Sequence, residues 1–256
     1  TAERSAGEPV AVVDMKLPQL RELVTQLRFS PDEGRIWMGS RRVVMLQAET
    51  FSALRQKLIE TLGEGAAHDL VSRIYFDAGQ RDAEDVIKAA GASASLKDLL
   101  NMGGMLHALH GYLLPKHTGK GMLNSDLRSD DYYGEATWEN SLEAEVHIAQ
   151  HGIGTHSVCW NQVGYCSGYL SRCAGRKILV REVECKASGA AHCRIVATAA
   201  PLNEGSQEEP GLRHARSAEA DRSLPAHSMS LDARNNDVTP WHMPKVKAQP
   251  GSAFVG

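Results

Sequence analysis

All five cysteines of this chain fall between positions 159 and 193 of its 256 residues, and their placement limits the possible folds more than any other feature. Cys159, Cys166 and Cys173 recur every seven residues in Val158–Ala174, an apolar, glycine-interrupted stretch that reads as a helix, so they form one stripe. Seven helical residues rise about 10 Å, whereas a zinc–sulfur bond spans only about 2.3 Å. No single ion can take all three. Cys159, at the start of the helix, is the one that can face the hairpin that follows. Cys185 and Cys193 bracket Lys186–Ala191, read as the turn between strands at 176–185 and 192–197, and pairing of those strands brings the two thiols together. A tetrahedral structural site needs a fourth ligand. The candidates are Glu182, where the strand curls into the turn, and His192, Glu184 and His156. The spacing leaves Glu182 and His192 level. Three buried cysteines without a metal are the plainer alternative.

The bulk composition narrows the setting. The net charge is only −3, so a surface that holds DNA phosphates by charge alone is not indicated. No apolar run approaches the roughly 20 residues that cross a bilayer, and Thr1–Pro9 lacks the basic and apolar parts of a secretion signal. A cytoplasmic location is therefore expected, with the thiols reduced and no disulfides.

The chain divides into a loose leader (1–16), a well-patterned region up to about Ala199, and a tail (200–256) that carries Asn203-Glu204-Gly205-Ser206-Gln207-Glu208-Glu209-Pro210-Gly211 and has few clustered aliphatics. Such a tail reads as linker, because it cannot bury enough apolar surface to offset its ordering entropy. Within the patterned region, residues 34–38 and 41–47 flank Gly39-Ser40 as a hairpin, and Ala48–Leu62 carries apolar residues at helical spacing up to Gly63. Further helices are expected at about 65–79, 82–90 and 95–113, the last stopped by Pro115. Tyr133–Trp138 and the alternating Leu142, Ala144, Val146 and Ile148 read as strands, after a polar loop at 117–131. The fold class is α+β, with helices packed on a mostly antiparallel sheet and the metal site near the C-terminal hairpin.

Several separated motifs then add a resemblance. Val158-Cys159-Trp160-Asn161-Gln162-Val163-Gly164-Tyr165, Glu182-Val183-Glu184-Cys185 and Cys193-Arg194-Ile195-Val196 are accompanied by Gly34-Arg35-Ile36-Trp37-Met38-Gly39, Leu106-His107-Ala108-Leu109-His110-Gly111 and Glu135-Ala136-Thr137-Trp138. In this order, from about Leu20 to Ala197, they closely resemble the sensor domains of phenol-, xylene- and biphenyl-responsive activators of the NtrC type, which carry the 4-vinyl-reductase-like module. The resemblance implies a structural Zn2+ held by Cys159, Glu182, Cys185 and Cys193, and so favours Glu182 over His192. It also implies that His107 and Trp138 bind the effector hydroxyl, with His110, one turn on, the weaker candidate. Where phenol sensors carry bulky aromatics, this chain has Leu100, Ala136 and Val180, while Tyr169 keeps its ring. Less wall volume implies a larger cavity and a two-ring or substituted effector such as a hydroxylated biphenyl.

The same resemblance implies a homodimer formed through residues 17–46, with Leu17, Leu20, Leu23, Val24 and Leu27 as a possible stripe that would serve equally as intrachain core. It further implies restraint of an attached ATPase, relieved when the effector binds. Gln249–Gly256 resembles the start of that ATPase. No G-x-x-x-x-G-K-[ST] loop is present, and Gly119-Lys120-Gly121 lacks its flanking residues. The linker shows no heptad pattern. Two other readings stand beside the sensor. One is a hydrolase, either a zinc enzyme or a cysteine enzyme using Cys159 with His156, for which no orienting group or oxyanion hole is evident. The other is an interaction module whose pocket is filled by its own side chains.

Overall fold

In a computed structural model the described residues are 24–25, 27–91, 95–117 and 126–200, and all lie in one unit of the chain, Thr1–Glu219. Among them are two antiparallel sheets and five α-helices. The first sheet joins β1 (Leu27–Ser30), β2 (Arg35–Met38) and β3 (Arg41–Val43) in sequence order. The expected hairpin around Gly39-Ser40 is β2–β3, with Met38 opposite Arg41. β1 had no counterpart in the sequence reading. The expected interface stripe falls mainly outside the described residues; of its members, Val24 is exposed and Leu27 half-buried.

Helix α1 (Ala48–Leu62) ends at Gly63 as expected, whose φ of 79° a side-chain-bearing residue rarely adopts. The next helix differs. A single helix, α2 (Glu64–Ala90), replaces the two expected at 65–79 and 82–90. Its Gly79 is not a break but a point of contact, because a Cβ there would lie 2.2 Å from the carbonyl oxygen of Tyr165. The partner is α5 (Trp160–Ala174). On α5, a Cβ at Gly164 would meet Ser72 O at 2.4 Å and one at Gly168 would meet Phe76 O at 1.9 Å. Absence of side chains at these three positions lets two helix backbones touch.

Helix α3 (Leu96–Leu109) opens with a capping box, in which Ser95 Oγ accepts from Asp98 N–H and the Asp98 carboxylate accepts from Ser95 N–H, each at 3.2 Å. It ends before the expected residue 113, and Pro115 lies in β4 (Leu114–His117). β4 is an edge strand, where a residue without an N–H is tolerated. The second sheet has the order β4–β5–β7–β6, with β5 at Tyr133–Glu139, β6 at Ile178–Glu184 and β7 at Cys193–Ala199.

The expected strand at 142–148 is instead helix α4 (Leu142–His151). Alternation was ambiguous there, since Leu142/Val146 and Ala144/Ile148 are also i, i+4 pairs. Ser141 decides in favour of helix by accepting from Ala144 N–H, and Glu143 is buried while Glu145 is exposed. The core beneath the second sheet gathers Leu106, Trp138, Tyr165, Tyr169 and Ile195 from α3, β5, α5 and β7.

The glycine contact gives a direct test. Gly168→Ala is expected to destabilise the fold by about 3 kcal/mol or more in urea unfolding, because the added methyl meets backbone that cannot yield. Gly65→Ala, in a helix and facing open space, is the control and should be neutral or slightly stabilising.

Candidate functional site

Two sites are built on α5, one at its start and one along its length. Cys159 is the residue immediately before the helix. The first turn of α5 exposes N–H donors that need partners. The buried Glu143 carboxylate supplies two of them, accepting from Asn161 N–H at 3.1 Å and Gln162 N–H at 3.3 Å. Burial pushes the Glu143 carboxyl up to about 8, opposed by Arg55, whose guanidinium lies 3.7 Å away. Arg55 also donates to Val158 O at 2.8 Å and lies over the Trp160 ring at 3.9 Å. Cys159 is thus fixed by the neighbours of the helix start.

Around it the hairpin strands deliver the other donors. Cys159 Sγ lies 4.0 Å from Cys185 Sγ and 3.7 Å from Cys193 Sγ, and the latter two are 3.9 Å apart. Three sulfurs bound tetrahedrally at about 2.3 Å would stand about 3.8 Å from one another. A ligand oxygen of Glu182 joins them, all four donor atoms lying within 4.8 Å of one another. Glu182 Oε2 accepts from Cys159 N–H at 3.2 Å, while its buried Oε1 has no hydrogen-bond partner. A buried oxygen of this kind is costly unless something binds it. The set therefore fits a tetrahedral metal ion. Hydrogen bonds with Cys185 and Cys193 push the Cys159 thiol well up, while hydrogen bonds from Cys159 and Cys193 lower the Cys185 thiol. Burial and the nearby Cys185 raise Glu182 to about 7.

The other fourth-ligand candidates point elsewhere. His192 is exposed, Glu184 pairs with Arg194 at 2.7 Å, and the exposed His156 pairs with Glu64 at 3.5 Å. His156 is therefore turned to a carboxylate rather than to the Cys159 sulfur. Cys166 and Cys173 stand away from the cluster, and burial raises both thiols to about 12.

The second site is a small cavity of about 50 Å³ between α3, β4, β5 and α5. Five of the six expected wall residues meet there: Leu100 and His107 from α3, Ala136 and Trp138 from one face of β5, and Tyr169 from α5. Val180 does not. It lies on β6, separated from β5 by β7, and its N–H donates to Ser167 Oγ at 3.1 Å. Tyr165, Cys166, Leu170, Ile195 and Pro115 complete much of the wall. None of these was a candidate in the sequence, although Tyr165 and Cys166 share the α5 face that carries Tyr169. Their bulk accounts for the other departure from expectation, since the replacements at Leu100 and Ala136 leave only this modest space.

His107 is 3% exposed. Burial, aided by the charge of His110, lowers it to about 3, so its imidazole is neutral and offers one N–H and one acceptor nitrogen. Its ring lies 4.4 Å from that of Tyr165 and 6.5 Å from that of Trp138. His110 is not in the wall; it caps α3, 6.2 Å from the rings of Tyr112 and Tyr165. The Tyr169 hydroxyl donates to Leu99 O at 2.7 Å. Its ring fits beside Gly103, where a Cβ would lie 2.5 Å from it.

A buried, largely apolar cavity with a neutral histidine and an indole, set on a helix rooted in a cysteine-rich cluster, describes a small-molecule sensor domain. The family described as "Activator of aromatic catabolism" matches residues 22–118, and the V4R domain matches residues 138–199. The chain is 29% identical over 194 residues to the phenol regulator MopR of Acinetobacter guillouiae and 30% identical over 184 residues to the transcriptional regulatory protein XylR of Pseudomonas putida. These alignments cover 76% and 71% of this chain but 34% and 31% of the relatives, so the chain spans about a third of their length. The crystal structure of the phenol-responsive sensory domain of the transcription activator PoxR with phenol superposes with a TM-score of 0.66 at 36% identity, covering 73% of this chain and 90% of that one. The chain belongs to the family of aromatic-sensing N-terminal domains of sigma-54-dependent activators. Among the described residues, no helix is long and apolar enough to cross a membrane.

The neutral His107 predicts a pH dependence. The folded state refuses a proton that the unfolded chain accepts at about pH 6.5. Its contribution is therefore complete above that value and is lost as the pH falls toward 3. Relative to His107→Gln, the wild type should lose about 1.4 kcal/mol per pH unit between these limits. Equal pH slopes in paired denaturation curves would contradict the buried neutral ring.

Proposed function

We propose that this chain is the effector-binding regulatory domain of a transcription activator, and that a hydroxylated aromatic compound occupies the cavity with its hydroxyl at His107 and Trp138. The observation that carries this reading is the convergence of the neutral His107 imidazole and the Trp138 indole on one buried cavity whose other walls are largely apolar. A phenolic O–H can donate to an imidazole nitrogen and accept from an indole N–H, while Leu100, Ala136 and Ile195 take up the ring. The phenol regulator MopR and the phenol-responsive sensory domain of PoxR support the chemical class.

The ring count follows from space. Leu100 and Ala136 suggest a two-ring effector, but a cavity of about 50 Å³ accommodates one ring with less displacement of its wall. In calorimetric titration of the purified chain, phenol is expected to bind more tightly than 2-hydroxybiphenyl. The reverse order would mean that the wall yields around a second ring, and binding of neither would overturn the reading.

The proposed ion is Zn2+, held by Cys159, Glu182, Cys185 and Cys193. Four protein donors leave no position for a reactive water, so its part is structural. The ion would supply the positive charge that lets the three crowded sulfurs ionise, tying the start of α5 to the β6–β7 hairpin. Structural zinc contributes on the order of 10 kcal/mol in small domains. Cys185→Ser is therefore expected to purify without zinc and to lose cooperative unfolding. A zinc-free variant that melts at the wild-type temperature would refute this.

In the full-length setting, the domain at 47–199 would restrain an attached ATPase through the 200–256 linker, with residues 17–46 forming a homodimer contact. The effector would act by binding the permissive form better than the restraining one, since only differential affinity shifts such a balance.

A further inference from the structure

Tyr165 is the wall residue in closest ring contact with His107, and its hydroxyl points out of the cavity. It donates to Asp82 Oδ2 of α2 at 2.8 Å. The other oxygen of the same carboxylate, Oδ1, accepts from Arg41 Nη1 of β3 at 2.5 Å. Arg41 Nη2 also pairs with Asp85 Oδ2 at 2.7 Å. A single chain of contacts thus runs from the cavity, through Tyr165 and Asp82, to the β2–β3 hairpin. Asp82 is 9% exposed, so its bonds are shielded from water, and hydrogen bonds to an ionised group are about twice as strong as neutral ones. The backbone that carries this carboxylate is itself held in place. It lies three residues after Gly79, where α2 and α5 touch backbone to backbone at Tyr165.

We propose that Asp82 is a positioning residue for the effector site. It fixes the Tyr165 ring against His107 and couples the occupancy of the cavity to the attachment of the β2–β3 hairpin through Arg41. This rests on the aromatic-effector reading given above. The hydroxyl of Tyr165 is engaged by Asp82, so the ring presents its face to the ligand while His107 and Trp138 keep the polar role. Loss of Arg41 leaves Asp82 free to turn toward solvent and the Tyr165 ring free to tilt into the space a ligand needs. An effector that requires the fixed ring in turn stabilises the hairpin contact, because coupling between two sites is reciprocal.

The test uses the whole 256-residue chain and whichever of phenol and 2-hydroxybiphenyl the wild type binds more tightly. Arg41 does not line the cavity, yet Arg41→Ala is expected to weaken that ligand by at least about fivefold, the lower end of coupling between distinct sites. Tyr165→Phe should weaken it comparably, and the double variant should lose no more than the stronger single one. Arg41→Lys, which restores a charge beside Asp82, should recover part of the loss. A change smaller than fivefold in Arg41→Ala overturns the coupling even if that variant melts lower, and so does a double variant whose losses multiply. If the wild type binds neither aromatic, the effector reading fails first and this inference falls with it. A lowered melting temperature with unchanged affinity is what a purely structural role would give.

Discussion

The backbone contact between α2 and α5 is the constraint from which the rest of the domain follows. Gly79, Gly164 and Gly168 leave no side chain in the crossing, and this fixes the course of α5 along its length. The helix then carries Cys159 at one end and Tyr165, Cys166 and Tyr169 along the cavity. A substituent at any of the three glycines would push the helix away from α2. The sulfur cluster and the cavity wall would shift together, because both are mounted on the same rod.

The start of that rod is secured twice by acidic side chains removed from water. Glu143 satisfies the first-turn donors of α5 from inside the protein, and Glu182 reaches back to the N–H of Cys159. An isolated buried carboxylate would be costly. Each of these has a reason to be there: Arg55 and two N–H groups for Glu143, and the cysteine cluster for Glu182. The arrangement places both acids where a helix start favours negative charge.

Much of this could be read from the residues. The hairpin at Gly39-Ser40, the helix at 48–62, the start of α5 at Cys159 and the bracketing of the C-terminal turn by Cys185 and Cys193 all rest on local signals, namely period, turn chemistry and the reach of a zinc–sulfur bond. The choice of Glu182 came from resemblance rather than spacing. What failed depended on distant contacts. The stretch at 142–148 alternates like a strand, but its Glu143 is drawn inside to the start of another helix. The helix at 64–90 was expected as two, at 65–79 and 82–90, while the backbone that Gly79 accommodates is 86 residues further along the chain. Val180 was assigned to the cavity although only the strand order β4–β5–β7–β6 shows that it is two strands away from Trp138. Tyr165 and Cys166 were overlooked although they neighbour Tyr169 on the helix, since nothing local marks which face of a buried helix meets an empty space.

The cavity is walled by two kinds of element, and they differ in their freedom to change. Tyr165, Cys166 and Tyr169 belong to α5, whose path is pinned by the glycine crossing and by the cluster at its origin. Leu100 and Ala136 belong to α3 and β5, which carry neither burden. A lineage, or a laboratory, seeking a sensor for a different aromatic therefore has one wall that can be redecorated and one that cannot. Specificity can drift through Leu100 and Ala136 while the course of α5 stays fixed, so a change of ligand need not disturb the rod on which the sulfur cluster is mounted.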